Sequence, residues 1–122
     1  MLRFLLDERI SPDGSNALRR RSRGTVAFSM AEWEGGNYIG REVSARLREA
    51  GSQRLTLVTY DRLTIPPLLK TWAEQARSHC GVIFVDEKTM PPAETGGLVA
   101  ALAELAKEAG RWEWTNRVFL LR

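Results

Sequence analysis

The sequence predicts a three-layer α/β/α sandwich built on a mostly parallel sheet of about five strands. Short apolar runs alternate with amphipathic stretches along the whole of the 122 residues, and three of those runs end in an acid, at Asp7, Asp61 and Asp86. No linker, internal repeat or low-complexity tract interrupts the alternation. Strands separated by helices of this length pair in parallel, so residues 1–122 are read as one domain.

The elements follow in chain order. Leu2 to Leu6 is an apolar run broken only by Arg3 and reads as a buried strand. Ser11-Pro12-Asp13 is a helix start, with Ser11 as cap and Pro12 at the first helical position, and the helix runs to about Arg21 before Gly24. Thr25 to Phe28 is a short strand, followed by a loop over Ala31 to Gly36 that carries Trp33 and the Gly35-Gly36 pair. Ile39, Val43 and Leu47 recur every four residues, which predicts a helix capped by Asn37 and ended by Gly51.

Leu55 to Tyr60 is the third strand, with Asp61 directly after it. After Pro66-Pro67, the positions Leu68, Leu69, Trp72, Ala73 and Ala76 draw a helical apolar face. Gly81 to Val85 is almost wholly apolar and reads as a central strand. Leu98, Leu102, Leu105 and Ala109 mark a last helix opened by Thr95, and Val118 to Leu121 a closing strand.

Composition narrows the function classes. At 43% hydrophobic and 27% charged residues, the chain has the balance of a folded globular domain. One cysteine, Cys80, and one histidine, His79, supply neither an intramolecular disulfide nor a tetrahedral zinc site. No stretch reaches the roughly 20 apolar residues that span a bilayer, and Asp7 interrupts the first apolar run too early for a signal peptide. A cytoplasmic protein without membrane partners is expected. The net charge of +3 is spread evenly, with ten basic and eight acidic residues through Asp61 and eight and seven beyond it. It becomes local only at Arg19, Arg20, Arg21 and Arg23, a run that suits either an RNA backbone or a solvated helix end.

Parallel strands that each end in an aspartate bring those aspartates to one edge of the sheet, the carboxyl edge where open α/β folds place ligands. Grouped carboxylates repel one another, and a hard cation relieves the repulsion. Magnesium takes oxygen ligands, including one or two carboxylates, and completes its shell with water and phosphate. Asp7 and Asp61 are therefore the expected ligands of Mg2+ or Mn2+, with Asp86 as a third. An aspartate at a strand end also accepts N–H groups from the next turn, and for Asp86 that reading competes. Glu8 either supports Asp7 or faces water.

Phe4-Leu5-Leu6-Asp7-Glu8-Arg9-Ile10-Ser11 resembles the opening "FLLDENLS" signature of the PIN-like family of small predicted nucleases. Leu57-Val58-Thr59-Tyr60-Asp61-Arg62 resembles that family's "vvTyDrDF" segment, at a similar spacing. The resemblance implies a PIN-like fold, divalent-metal ribonuclease chemistry and frequent service as the toxin partner of a small antitoxin-like protein. Asp7 and Asp61 match its acidic positions. Two positions depart: the acid that opens the family's second helix is replaced by Asn37, a supporting residue of the expected site, and the repeated aspartate by Leu63. Glu42, one helical turn beyond Asn37, either reaches the site in place of the missing acid or lies on an exposed face with Arg41 and Glu49.

Single-stranded RNA is the expected substrate, since a shallow crevice admits an unstacked backbone more readily than a duplex. The runner-up is a catalytically weakened PIN-like module that acts through protein partners. A phosphoacceptor receiver would need a lysine after the last strand, where the chain has Arg122. His79-Cys80 is set aside as a nucleophile pair, because neighbours on a strand point to opposite faces; a buried Cys80 and a surface His79 are expected. Gly35-Gly36 and Gly96-Gly97 read as turns, and Trp112 and Trp114 as capping the core or a homodimer contact rather than stacking bases.

Overall fold

The computed structural model describes residues 2–122. Each apolar run of the sequence forms a strand: β1 (Arg3–Leu6), β2 (Val26–Ser29), β3 (Thr56–Thr59), β4 (Val82–Val85) and β5 (Val118–Leu121). Four helices connect them, α1 (Asp13–Arg21), α2 (Val43–Ser52), α3 (Ile65–Glu74) and α4 (Thr95–Ala109). The sheet order is β2-β1-β3-β4-β5, and every neighbouring pair is parallel.

Alternation along the strands divides the core in two. Phe4, Leu6, Val58, Ile83 and Val85 pack on one face against Leu18 of α1 and Leu98, Leu102 and Leu105 of α4. Leu5, Leu57, Val82 and Phe84 pack on the other against Leu47 and Ala50 of α2 and Ile65 and Trp72 of α3. β3 and β4 are buried along their whole length, as apolar strands covered on both faces must be. β5 is an edge strand, and its Val118 and Leu120 remain 53% and 37% exposed.

Several local expectations are corrected. Asn37 does not cap α2: it is exposed at the end of a 3-10 turn over Trp33–Gly36, and α2 begins only at Val43. Gly36 and Gly40 take φ of +79° and +76°, which break the four-residue apolar pattern before Val43 and leave Ile39 51% exposed. Gly51 lies inside α2 rather than ending it. The left-handed residue after α2 is Arg54, at φ +57°, and Leu55 N–H closes the turn on Ala50 O at 2.8 Å. The end of α3 repeats this arrangement, with Ala76 at φ +56° and Arg77 N–H on Trp72 O at 2.8 Å. Ala73 and Ala76 are exposed, so the buried stripe of α3 runs through Ile65 and Trp72.

His79 and Cys80 are also exchanged relative to expectation. His79 is buried, 6% exposed, with its Nδ1 accepting the Gly81 N–H at 3.0 Å, while Cys80 is only partly buried. The strand starts at Val82 rather than Gly81, so the two residues belong to the turn before it and do not follow the strand's alternation. No helix among the described residues is long and apolar enough to cross a membrane.

Candidate functional site

The switch point of the sheet lies where the strand order reverses, between β1 and β3, and the residues just beyond these strands and β4 enclose a crevice of about 510 Å³. Asp7, Glu8, Asp61 and Asp86 line it together with Arg9, Arg46, Arg62 and Lys88. Leu63 lies at its rim, 87% exposed.

Asp7 is the most constrained of the acids. Its Oδ2 accepts a 2.7 Å hydrogen bond from Thr59 Oγ1, its Oδ1 accepts the Glu8 N–H at 2.7 Å, and Arg46 Nη1 approaches Oδ1 at 3.5 Å. Asp61 follows Tyr60, whose hydroxyl donates to Met90 O at 2.8 Å and pins the strand end. Asp61 Oδ1 accepts the N–H groups of Leu63 at 3.1 Å and Thr64 at 2.8 Å, which organises the turn into α3. Among the described residues its Oδ2 takes no hydrogen bond. Asp86 Oδ1 accepts the Lys88 N–H at 3.0 Å, and Arg9 pairs with Glu87 at 2.7 Å while lying over the Tyr60 ring.

The second helix contributes a cation where an acid was expected. Glu42 is exposed at the N-terminus of α2 and does not line the crevice; neither does Asn37. Further along α2, Arg46 turns inward, because it shares a helix face with the buried Ala50 four residues on. Its Nε donates to Tyr38 O at 3.0 Å and its Nη2 pairs with Glu8. Glu8 Oε1 also accepts the Gly40 N–H at 3.0 Å, so one carboxylate ties the turn before α2 to the end of β1. The side chains of Arg46 and Asp7 are only 12% and 14% exposed, which keeps the pair shielded from screening.

The arginines of α1 stand elsewhere. A helix that joins parallel strands runs back along the sheet, so the C-terminal end of α1 lies at the amino edge, opposite the crevice. Arg19 is held by Ala27 O, Asn16 and Glu32, and Arg20, Arg21 and Arg23 are exposed there. None of the four lines the crevice.

The donor set can be weighed against a divalent ion. Among the described residues no three Asp, Glu, His or Cys side chains converge closely enough to hold an ion between them. A cage closed by protein groups alone does not fit. Two carboxylates with water and phosphate completing the shell do fit, since Asp7 and Asp61 line one crevice and Asp61 keeps an oxygen unengaged. Arg46 occupies the counter-ion role beside Asp7 and Glu8 that such an ion would share.

Thr59, buried beneath the crevice, and Arg46, on its wall, both hold Asp7 and are not among the residues that the sequence singles out. Thr59 sits two positions before Asp61, on the same side of the extended chain, and that spacing was a usable signal. Searches against family models, curated proteins and solved structures find no match to this chain.

Proposed function

We propose that this chain is a metal-dependent endoribonuclease of the PIN-like kind that cuts single-stranded RNA slowly in the cytoplasm, as the toxin component of a toxin–antitoxin pair. The observation that supports this reading is the common crevice of Asp7, Asp61 and Asp86, drawn from three neighbouring parallel strands. Asp7 and Asp61 would hold the Mg2+ or Mn2+ ion, with Asp86 at the margin. The ion would polarise a phosphoryl oxygen and lower the pKa of a bound water. Arg62 and Lys88 flank the carboxylates and suit the phosphates on either side of the cut. Slow turnover follows from Arg46, whose charge already offsets that of Asp7 and Glu8.

The same arginine favours a second reading, a PIN-like module with weakened catalysis that works through protein partners. Incubating labelled single-stranded RNA with the protein and manganese separates the two. Cleavage that requires metal and disappears in both Asp7→Asn and Asp61→Asn supports the nuclease. Cleavage that survives EDTA or both substitutions overturns it, and no cleavage by any form transfers the weight to the partner-binding module.

A further inference from the structure

The chain carries an arginine at, or within five residues before, the start of every strand. In the spatial order β2-β1-β3-β4-β5 these are Arg23, Arg3, Arg54, Arg77 and Arg117. Among the described residues none of the five pairs with a carboxylate; the ion pairs of the chain involve Arg9, Arg19 and Arg46. The chain ends of α2 and α3 place two of them by the same device, since Arg54 and Arg77 lie in the left-handed turns that close those helices. The crevice edge mixes its carboxylates with Arg9, Arg46, Arg62 and Lys88, whereas these five arginines have no carboxylate within ion-pair distance among the described residues.

Two adjoining grooves run along this amino edge. One, of about 470 Å³, is lined by Arg48, Arg77 and His79; the other, of about 440 Å³, by Arg54, Trp112 and one acid, Glu113. They share Cys80 and Thr115. Trp114 caps the core, with its Nε1–H on Ala109 O at 2.9 Å, whereas Trp112 is 44% exposed and carries the Arg117 guanidinium 4.9 Å from its ring centre.

We infer that this edge binds a single-stranded nucleic acid, its phosphates along the arginine row and an unpaired base against Trp112. A basic edge matches a polyanion of repeating charge, and guanidinium forks suit phosphate oxygens; Arg77 and Arg117 are held against Trp72 and Trp112, while Arg3 buries its Nε. The Trp112 indole packs with Trp114 and Phe119 and lies under Arg117, and the part of it that stays exposed suits an unpaired base, which favours a single strand over a duplex. The surface is separate from the carboxylate crevice and does not depend on its activity.

Fluorescence anisotropy with a labelled single-stranded oligonucleotide, in EDTA so that no cutting intervenes, tests the assignment. Binding should weaken as salt rises, and the double variant Arg54→Glu/Arg117→Glu should weaken it by tenfold or more and flatten the salt slope by about 1.4, near 0.7 for each lost phosphate contact. Trp112→Ala should weaken single-strand binding about tenfold while leaving a duplex competitor unaffected. Asp61→Asn should bind no more weakly than the wild type. Thermal melts accompany each variant, and Arg54→Gln/Arg117→Gln replaces the reversal if that fails to fold. Absence of binding at low salt, affinity indifferent to the arginine variants, or weakening by Asp61→Asn would each overturn the inference. So would equal binding of an acidic peptide or of anionic vesicles.

Discussion

Thr59 Oγ1 donates a 2.7 Å hydrogen bond to Asp7 Oδ2 across the β1–β3 pair, from a side chain that is itself wholly buried. The same oxygen accepts the Asp61 N–H at 3.0 Å, so one hydroxyl fixes one aspartate's carboxylate and the other's backbone. Its removal should be felt at both. Thr59→Val keeps the shape and loses the donor, and should cost about 1–3 kcal/mol in urea unfolding, because a shielded carboxylate oxygen is left without a partner. Thr59→Ser should recover most of that stability; an equal loss in both variants would mean that packing, not the hydroxyl, is what counts.

Arg46 and a divalent ion compete for the same negative charge. Manganese should raise the melting temperature of the wild type, since a ligand that binds only the folded state stabilises it. Asp7→Asn should remove that gain. Arg46→Gln should lower stability without metal and enlarge the gain with it; tenfold tighter binding at saturating metal corresponds to about 1.4 kcal/mol. A variant that responds to manganese as the wild type does would show that Arg46 is not a competitor.

His79 makes stability depend on pH. Burial holds its imidazole below the ordinary range, and Nδ1 must stay unprotonated to accept the Gly81 N–H. The unfolded chain takes up its proton near the ordinary value of about 6.5 while the folded chain resists, so the unfolded state binds more protons as pH falls below that value. The melting temperature should therefore drop on acidification from about 6.5 and level off once the folded imidazole also titrates. His79→Gln should flatten this part of the profile.

Two backbone positions should respond in opposite directions. Ala76 closes α3 at φ +56°, a conformation that glycine adopts freely, and Ala76→Gly should stabilise the protein by about 1 kcal/mol. Gly81 sits at φ +101°, where an added Cβ would lie 2.9 Å from the Trp114 ring and 3.0 Å from Trp114 O. Gly81→Ala should cost roughly 2–5 kcal/mol, strain and overpacking together. Chemical denaturation of both variants checks the pair.

What the sequence disclosed and what it withheld have separate physical causes. The strands and the edge shared by Asp7, Asp61 and Asp86 were legible because an apolar run ended by an acid specifies both a buried strand and its terminus. The ends of α2 and α3 were hidden because Arg54 and Ala76 adopt a conformation usually signalled by glycine. Arg46 reads as one more charge on a solvated helix; only the folded contacts with Asp7 and Glu8 mark it out. The position of Arg20, Arg21 and Arg23 could have been read, since a helix that follows β1 must carry its C-terminal residues away from Asp7.

The chain's first strand lies in the interior of the sheet, between β2 and β3, and Asp7 meets Thr59 across 52 residues of sequence. Closing so long a loop costs entropy before any contact rewards it, and pairing of this kind is slow. During synthesis the ribosome delivers β1, α1 and the arginines at the end of α1 well before β3 and β4 emerge. No fragment that stops short of β3 can close the carboxyl edge. The crevice therefore takes form only in a chain that includes β3 and β4, which bring Asp61 and Asp86 to the edge that Asp7 occupies.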